Sequence, residues 1–213
     1  MLADTAAAQA WLATLPEWDE LAADRMAMLI DMLRGANAEQ NLVAAASLDD
    51  VWLRHIADSA QLLQFVPPET PGPWLDLGSG AGFPGLVTAL LRPDCETVLV
   101  ESRNLRAQWL ERVVGALGLN NVRVVGQRLE LMATRSYRVI SARAFAPLPK
   151  LIKLSARFST SDTIWLLPKG RSAAQELSEL TGWDHMFHVE QSISGADAGL
   201  IVGRLAGKKG KKR

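Results

Sequence analysis

The pattern of hydrophobic positions changes partway along the chain. Over residues 1–65 apolar residues recur at helical spacing. Alanine and leucine dominate from Asp4 to Leu15. Leu21, Met28, Leu29, Met32 and Leu33 follow, and Val51, Trp52, Ile56, Ala60 and Leu63 form a third series. The spacing predicts three helices: the second opens at Pro16, whose missing N–H is not needed in a first turn, and the third is N-capped by Ser47 with Asp50 three places on. The stretch PPETPGP, residues 67–73, then puts four prolines in seven positions, which removes donors, fixes φ and ends the helical part.

From position 74 onward the apolar residues come in short, nearly continuous runs. Strands are predicted at 74–78, 97–101, 122–125, 137–142, 163–167 and 199–205, with a weaker one at 187–193. Between them the periodicity predicts helices at about 84–92, 104–117, 128–133, 147–158 and 171–180. Strands that are apolar on both faces and alternate with helices imply a mainly parallel sheet covered on both sides. The expected architecture is α/β, a doubly wound, mostly parallel seven-stranded sheet, divided into a helical cap (1–66), a main domain (67–207) and a basic tail (208–213).

Composition narrows the class. The chain has 213 residues, 48% of them hydrophobic and 22% charged, enough for one well-buried core. No apolar run reaches the ~18 residues that a bilayer span requires, and Asp4, Gln9 and Glu17 interrupt the alanine-rich start, so a soluble cytoplasmic protein without a membrane partner is expected. The single cysteine, Cys95, has no partner for a disulfide and no ligand-spaced Cys or His for a metal, and is expected to pack as a small apolar filler beside a strand. The formal charge is zero, but the terminal KKGKKR holds five of the 23 basic residues, leaving 18 against 23 acidic elsewhere. Such a tail can neutralise phosphates with release of counterions, or be a plain solvated end.

The chemistry concentrates in LDLGSGAGFPG, residues 75–85. Asp76 ends the first strand, and Gly78, Gly80 and Gly82 fill the turn, where glycine permits positive φ or close approach of a ligand to the backbone. A dinucleotide fingerprint wants its third glycine at position 83, where Phe83 stands, so the pyrophosphate reading is weakened. Glu101 ends the second strand, where a doubly wound sheet places a carboxylate that accepts from both ribose hydroxyls of an adenosine. Leu129 and Glu130 follow the third strand, at the level of the adenine. The bland alternatives are a structural turn and ordinary solvated carboxylates.

Six segments, RHIADS (54–59), LDLGSGAGFPG (75–85), LVESRNLRAQWLE (99–111), NVRVVGQRLE (121–130), SARAFAPL (141–148) and LLPKG (166–170), together resemble the glucose-inhibited-division B family, also called ribosomal RNA small-subunit methyltransferase G. The resemblance runs from about residue 41 to 170 and implies a class I, Rossmann-like methyltransferase that uses S-adenosylmethionine to methylate N7 of one guanine in 16S rRNA. It further implies that Gly78 and Phe83 line the cofactor site, that Leu129 and Glu130 bracket the adenine, and that Arg143 lies near the methionine end or the incoming base. RGANAEQ before Asn41, and Arg138, depart from the family pattern.

Guanine N7 carries an in-plane lone pair on the major-groove edge, so no general base is required, and catalysis reduces to alignment with modest electrostatic help. Arg143, after the fourth strand, is the candidate catalytic residue, its donors suited to guanine O6 or a phosphate, or else to a structural salt bridge with Glu101 or Asp76. Lys169, Arg103 and Arg106 are candidate RNA contacts, with Arg54 and Arg143 completing a basic rim. His55, Asp58 and Ser59 share one helix face and are expected to tie the cap to the cofactor loop. The expected partner is 16S rRNA or the small ribosomal subunit, met by a monomer that needs no metal. The rival readings are a class I methyltransferase with another substrate, a nicotinamide-dependent oxidoreductase, which lacks a hydride-transfer pair around the only tyrosine, Tyr137, and a noncatalytic ribosome-assembly module.

Overall fold

A computed structural model describes residues 1–210. Three of the five basic residues of the predicted tail, Lys211, Lys212 and Arg213, lie outside the described residues.

The N-terminal third is helical. Helix α1 (Thr5–Leu12) is capped by Asp4, whose Oδ1 accepts from the Ala7 amide at 2.8 Å. Helix α2 (Glu20–Gln40) starts at Asp19 rather than at Pro16, because Asp19 supplies the acceptor a first turn lacks, for the Ala22 amide at 2.7 Å. A third helix, α3, covers 52–65 and changes winding as it goes: π-helical over Trp52–Ala57, α-helical over Asp58–Ala60 and 3-10 over Gln61–Phe65. Ser47 does not cap it; its hydroxyl donates to the Ala44 carbonyl at 2.6 Å.

The main sheet contains β1 (Trp74–Leu77), β2 (Thr97–Val100), β3 (Val122–Val125), β4 (Val139–Ser141), β5 (Ile164–Gly170), β7 (His188–Gln191) and β8 (Gly199–Gly203) in the order β3-β2-β1-β4-β5-β8-β7. The first five are parallel, and β8 runs antiparallel between β5 and β7. Alternate side chains enter two apolar layers, which explains the nearly continuous apolar runs. Leu75, Leu77, Ile140, Trp165 and Leu167 face one layer with α6 (Leu148–Ser155), and Trp74, Leu99, Val139 and Leu166 face the other. That second layer also holds Leu86 of α4 (Gly85–Leu91), Leu110 of α5 (Asn104–Ala116), and Leu12, Met26, Leu29 and Ile56 of the first three helices. The N-terminal helices therefore share a core with the sheet they cover.

Two predicted elements come out differently. The run at 199–205 breaks into β8 and a separate β9 (Leu205–Lys208), which pairs antiparallel with an unpredicted β6 (Trp183–His185). Lys208 thereby belongs to a strand, its ammonium 5.7 Å from the Trp183 ring centre, and the Lys209 amide donates to Gly182 O at 3.0 Å. The helix expected at 128–133 is only a 3-10 turn, Leu129–Leu131. The last helix is α7 (Ala173–Ser178). Cys95 is buried and forms no disulfide. Among the described residues no helix is long and apolar enough to cross a membrane, and no cluster of His, Cys, Asp or Glu could hold a metal ion.

Candidate active site

The glycine turn leaves β1 at the carboxyl edge of the sheet with Gly78 at φ 66° and Gly80 at φ 59°, a region closed to most side chains. It is pinned from both flanks. The Ser79 amide donates to Val100 O at 3.0 Å, and Trp109 Nε1 of α5 donates to Ala81 O at 3.0 Å. Glu101 completes the arrangement: Oε2 accepts from the Gly80 amide at 3.1 Å and Oε1 from the Arg103 amide at 2.8 Å, and the residue is 6% exposed. Two backbone donors thus fix a carboxylate in one rotamer with lone pairs to spare.

Asp76 lies below this turn and is completely buried. Its Oδ1 accepts from Ser141 Oγ at 2.7 Å, Ser141 in turn accepts from Trp74 Nε1 at 2.8 Å, and Oδ2 has no hydrogen-bond partner. Burial holds the carboxyl above the usual carboxylate range, against the hydrogen bonds that favour ionisation. Asp76 joins β1 to β4 and faces Gly85, not the open edge.

Two cavities flank the turn. One of about 220 Å³ is walled by Leu77, Gly78, Val100, Gln127, Leu129 and Glu130. The other, about 1110 Å³, lies between α3, the loop after β4 and the ends of β5 and β8, with Arg54, His55, Asp58, Arg143 and Lys169 among its walls. Phe145 lines both. Its ring lies against Gly78 so closely that a Cβ there would sit 2.5 Å from Cδ2. The preceding Ala144 has φ 52°, a left-handed conformation that costs a non-glycine residue roughly 1 kcal/mol.

Arg143 points into the larger cleft and is held by the N-terminal helices. Nη1 donates to Arg54 O at 3.2 Å and to Asp58 Oδ2 at 3.3 Å, and Nη2 to His55 Nδ1 at 3.1 Å. Its guanidinium sits 5.2 Å from the centre of the Phe83 ring, on which His55 also stacks at 5.0 Å. Burial and the nearby cations Arg143 and Arg54 push the His55 imidazole from 6.5 down to about 3. Asp58 is itself anchored, since Oδ1 accepts from Ser194 Oγ at 2.6 Å and from Gln61 Nε2 at 3.0 Å.

The structure brings Gly78, Leu129 and Glu130 to one cavity, with Glu101 at its edge between the lining residues Val100 and Ser102. Glu130 is solvent-facing and paired with Arg128 at 2.9 Å. Phe83 lines neither cavity; it is buried beneath His55 and Arg143. Arg143 pairs with Asp58, not with Glu101 or Asp76. Lys169 is nearly enclosed, its ammonium donating to Ala146 O and lying 2.9 Å from Glu176 Oε2. Burial opposes ionisation of Glu176, but Ser172, Lys169 and the Leu148 amide together hold its carboxyl below the usual range. Lys169 thus secures the loop carrying Phe145 rather than standing free. Arg106 reaches the glycine turn, with Nη1 3.7 Å from where a Gly80 Cβ would be, while Arg103 turns its side chain to solvent. The trio expected to tie the cap to the cofactor loop divides: His55 and Asp58 reach Arg143, whereas Ser59 Oγ donates to its own helix at His55 O, 2.6 Å. Sequence reasoning gave Phe145, Gln61, Ser192 and Ser194 no role. The one sequence signal for Phe145 is its place inside SARAFAPL.

Known structures share this architecture. A putative O-methyltransferase from Klebsiella pneumoniae superposes with a TM-score of 0.61 at 14% identity, covering 94% of this chain and 96% of that one. Fibrillarin from Aeropyrum pernix, solved with natively bound S-adenosyl-L-methionine, gives a TM-score of 0.54 at 16% identity over 71% of this chain and 75% of its own. Strand order, glycine turn and strand-end carboxylate define a class I S-adenosylmethionine-dependent methyltransferase fold. The sequence resolves it further. A family model described as "GidB: rRNA small subunit methyltransferase G" matches residues 22–194, and the chain belongs to that family. The protein called Ribosomal RNA small subunit methyltransferase G is 56% identical in Novosphingobium aromaticivorans, over 94% of this chain and 89% of the relative, and 57% identical in Erythrobacter litoralis, over 87% and 90%.

Proposed function

We infer that this chain transfers a methyl group from S-adenosylmethionine to N7 of a guanine in 16S rRNA. The observation that carries the reading is the fixed Glu101 carboxylate beside a glycine turn and a 220 Å³ cavity, with an arginine-lined cleft on the other side of Phe145. These residues fit the cofactor. A Cβ on Gly80 would meet nothing closer than 3.7 Å, and the nearest side chain is the flexible Arg106, so the backbone of the turn can be approached, and Glu101 offers acceptors to a ribose diol. Leu77 and Leu129 supply apolar walls for an adenine, with Gln127 and Glu130 at its rim.

Bound S-adenosylmethionine supplies an electrophilic sulfonium methyl. The protein then has to place the guanine so that its N7 lone pair is in line with that methyl, a matter of alignment. Arg143 orients the base or its phosphate from the larger cleft. A bidentate arginine contact to O6 and N7, common in guanine recognition, would consume the very lone pair that must attack. The productive contact therefore goes to O6 or to phosphate and leaves N7 bare. Lys169 and Glu176 act by fixing the loop beside Arg143, and Arg103, Arg106 and Arg54 provide the positive rim for the RNA backbone. In this reading the protein works in the cytoplasm, as a monomer, on ribosomal RNA or the small subunit.

The test is transfer of labelled methyl to 16S rRNA and to small subunits from cells lacking the modification. Label is expected in 16S rRNA in at least one of these assembly states and absent when the RNA is already modified. Labelling of 23S rRNA or tRNA instead would assign another substrate.

A further inference from the structure

We propose that His55 is a positioning residue: it orients the Arg143 guanidinium by accepting a hydrogen bond at Nδ1 while its own N–H is anchored on Ser47. The inference rests on the role given above to Arg143.

Three directional constraints meet on the imidazole. Arginine has only donors, so the 3.1 Å contact of Arg143 Nη2 with His55 Nδ1 requires a bare Nδ1. On the other side, Ser47 Oγ lies 2.8 Å from Nε2, and its only proton is directed at Ala44 O, 2.6 Å away. Ser47 must accept, so Nε2 carries the proton. Both neighbours thus demand the same neutral tautomer. The third constraint is steric: the ring stacks on Phe83 with centres 5.0 Å apart and planes 16° apart, which fixes the plane of the imidazole, while the two hydrogen bonds fix its edge. The π-helical winding at Trp52–Ala57 sets the imidazole there, and such local widenings are frequent at functional sites.

This geometry has a consequence for the reaction. A guanidinium offers five N–H donors, and Arg54 O, Asp58 and His55 take one bond each. Nε–H and one proton of Nη2 have no partner among the described residues, and they remain for substrate. Asp58 is the single negative partner of Arg143, and the neutral His55 accepts without compensating its charge, so the guanidinium keeps charge for a guanine O6 or a phosphate. Arg143 faces the ring from the loop after β4, while Arg54 and Asp58 come from its own helix. Ser47 and Phe83, which complete the surroundings, carry no charge.

Two variants and one spectrum test this. His55→Phe keeps the stack on Phe83 but removes both ring nitrogens, and His55→Asn puts a carbonyl oxygen near the place of Nδ1. S-adenosylhomocysteine affinity should stay within about 3-fold of wild type in both. Methyl transfer by His55→Phe should fall about 100-fold, the scale of a misplaced contact group, with His55→Asn recovering at least about 10-fold of it. Equal activity of His55→Phe and wild type, or no recovery in His55→Asn, would overturn the proposal. Nitrogen-15 spectra of wild type should show an unprotonated Nδ1 and a protonated Nε2 at pH 7 and at pH 5. The opposite tautomer, or an imidazolium at pH 5, also overturns it, even if the variants fail to fold. If the wild type transfers no methyl to 16S rRNA while the spectrum shows the expected tautomer, the assigned activity fails and the geometry stands.

Discussion

Mild acid should destabilise this fold through His55. In the folded chain the imidazole is held near pH 3 by burial and by Arg143 and Arg54, against 6.5 in an unfolded chain. A base whose folded value is depressed contributes stability that is complete above 6.5 and drains away as pH falls toward 3, because only the unfolded chain takes up the proton. Between pH 7.5 and 5.0 the unfolded chain gains nearly one proton at this site and the folded chain almost none, a loss of about 2 kcal/mol. Any folded value below about 4 gives the same figure. Other shifted groups act over the same range. Asp76, held high by burial, works in the opposite direction as pH falls; His185, held low by burial and Lys209, and the carboxylates Glu176 and Glu130, held low by their hydrogen bonds, work in the same direction. All are common to wild type and His55→Asn, so urea denaturation of the two proteins at both pH values isolates the term. Wild type should lose about 2 kcal/mol more than the variant on acidification. A difference below about 0.5 kcal/mol would mean that His55 is free to protonate in the native cleft.

The other expectations concern the cofactor and RNA sides. Glu101→Gln replaces one acceptor by a donor facing a backbone N–H, so stability should drop by about 1–3 kcal/mol in a melt and S-adenosylhomocysteine affinity by at least about 10-fold in calorimetry. Gly80→Ala should cost only about 1 kcal/mol of stability, for its positive φ, because the structure leaves room for the methyl, yet it should weaken the same ligand far more than that strain explains. Gly78→Ala adds a methyl 2.5 Å from Phe145 Cδ2, so it should be the less stable of the two in the same denaturation series. Arg143→Lys keeps the charge and loses the planar fork; cofactor affinity should hold while kcat/KM for RNA falls about 10- to 100-fold.

The parts of the fold legible in the sequence are those with a strong local signal. β1 and β2 lie where nearly continuous apolar runs predicted them, because both faces of the sheet are covered there and every position along them is buried; β3 also lies where VRVV predicted it, although its Arg123 is exposed. The β6 and β9 pair was invisible: WDH and LAGK carry no apolar run, and their pairing is a tertiary event. Glu101 could be placed by strand topology alone. Phe145 and the surroundings of His55 could not, since they depend on helix α3 meeting the loop after β4 across roughly 90 positions, Arg143 being 88 residues from His55. Lys169 illustrates the converse. A lysine at a strand end reads as a phosphate contact until Glu176, seven positions on, takes up its charge in the folded chain.

The atom that receives the methyl decides the mechanism. Treated small-subunit RNA should be cleaved, by chemistry specific for 7-methylguanine, at a single guanine of 16S rRNA, and only after incubation with both the protein and S-adenosylmethionine. Label found in the RNA without any such cleavage would place the methyl on another atom and contradict the mechanism.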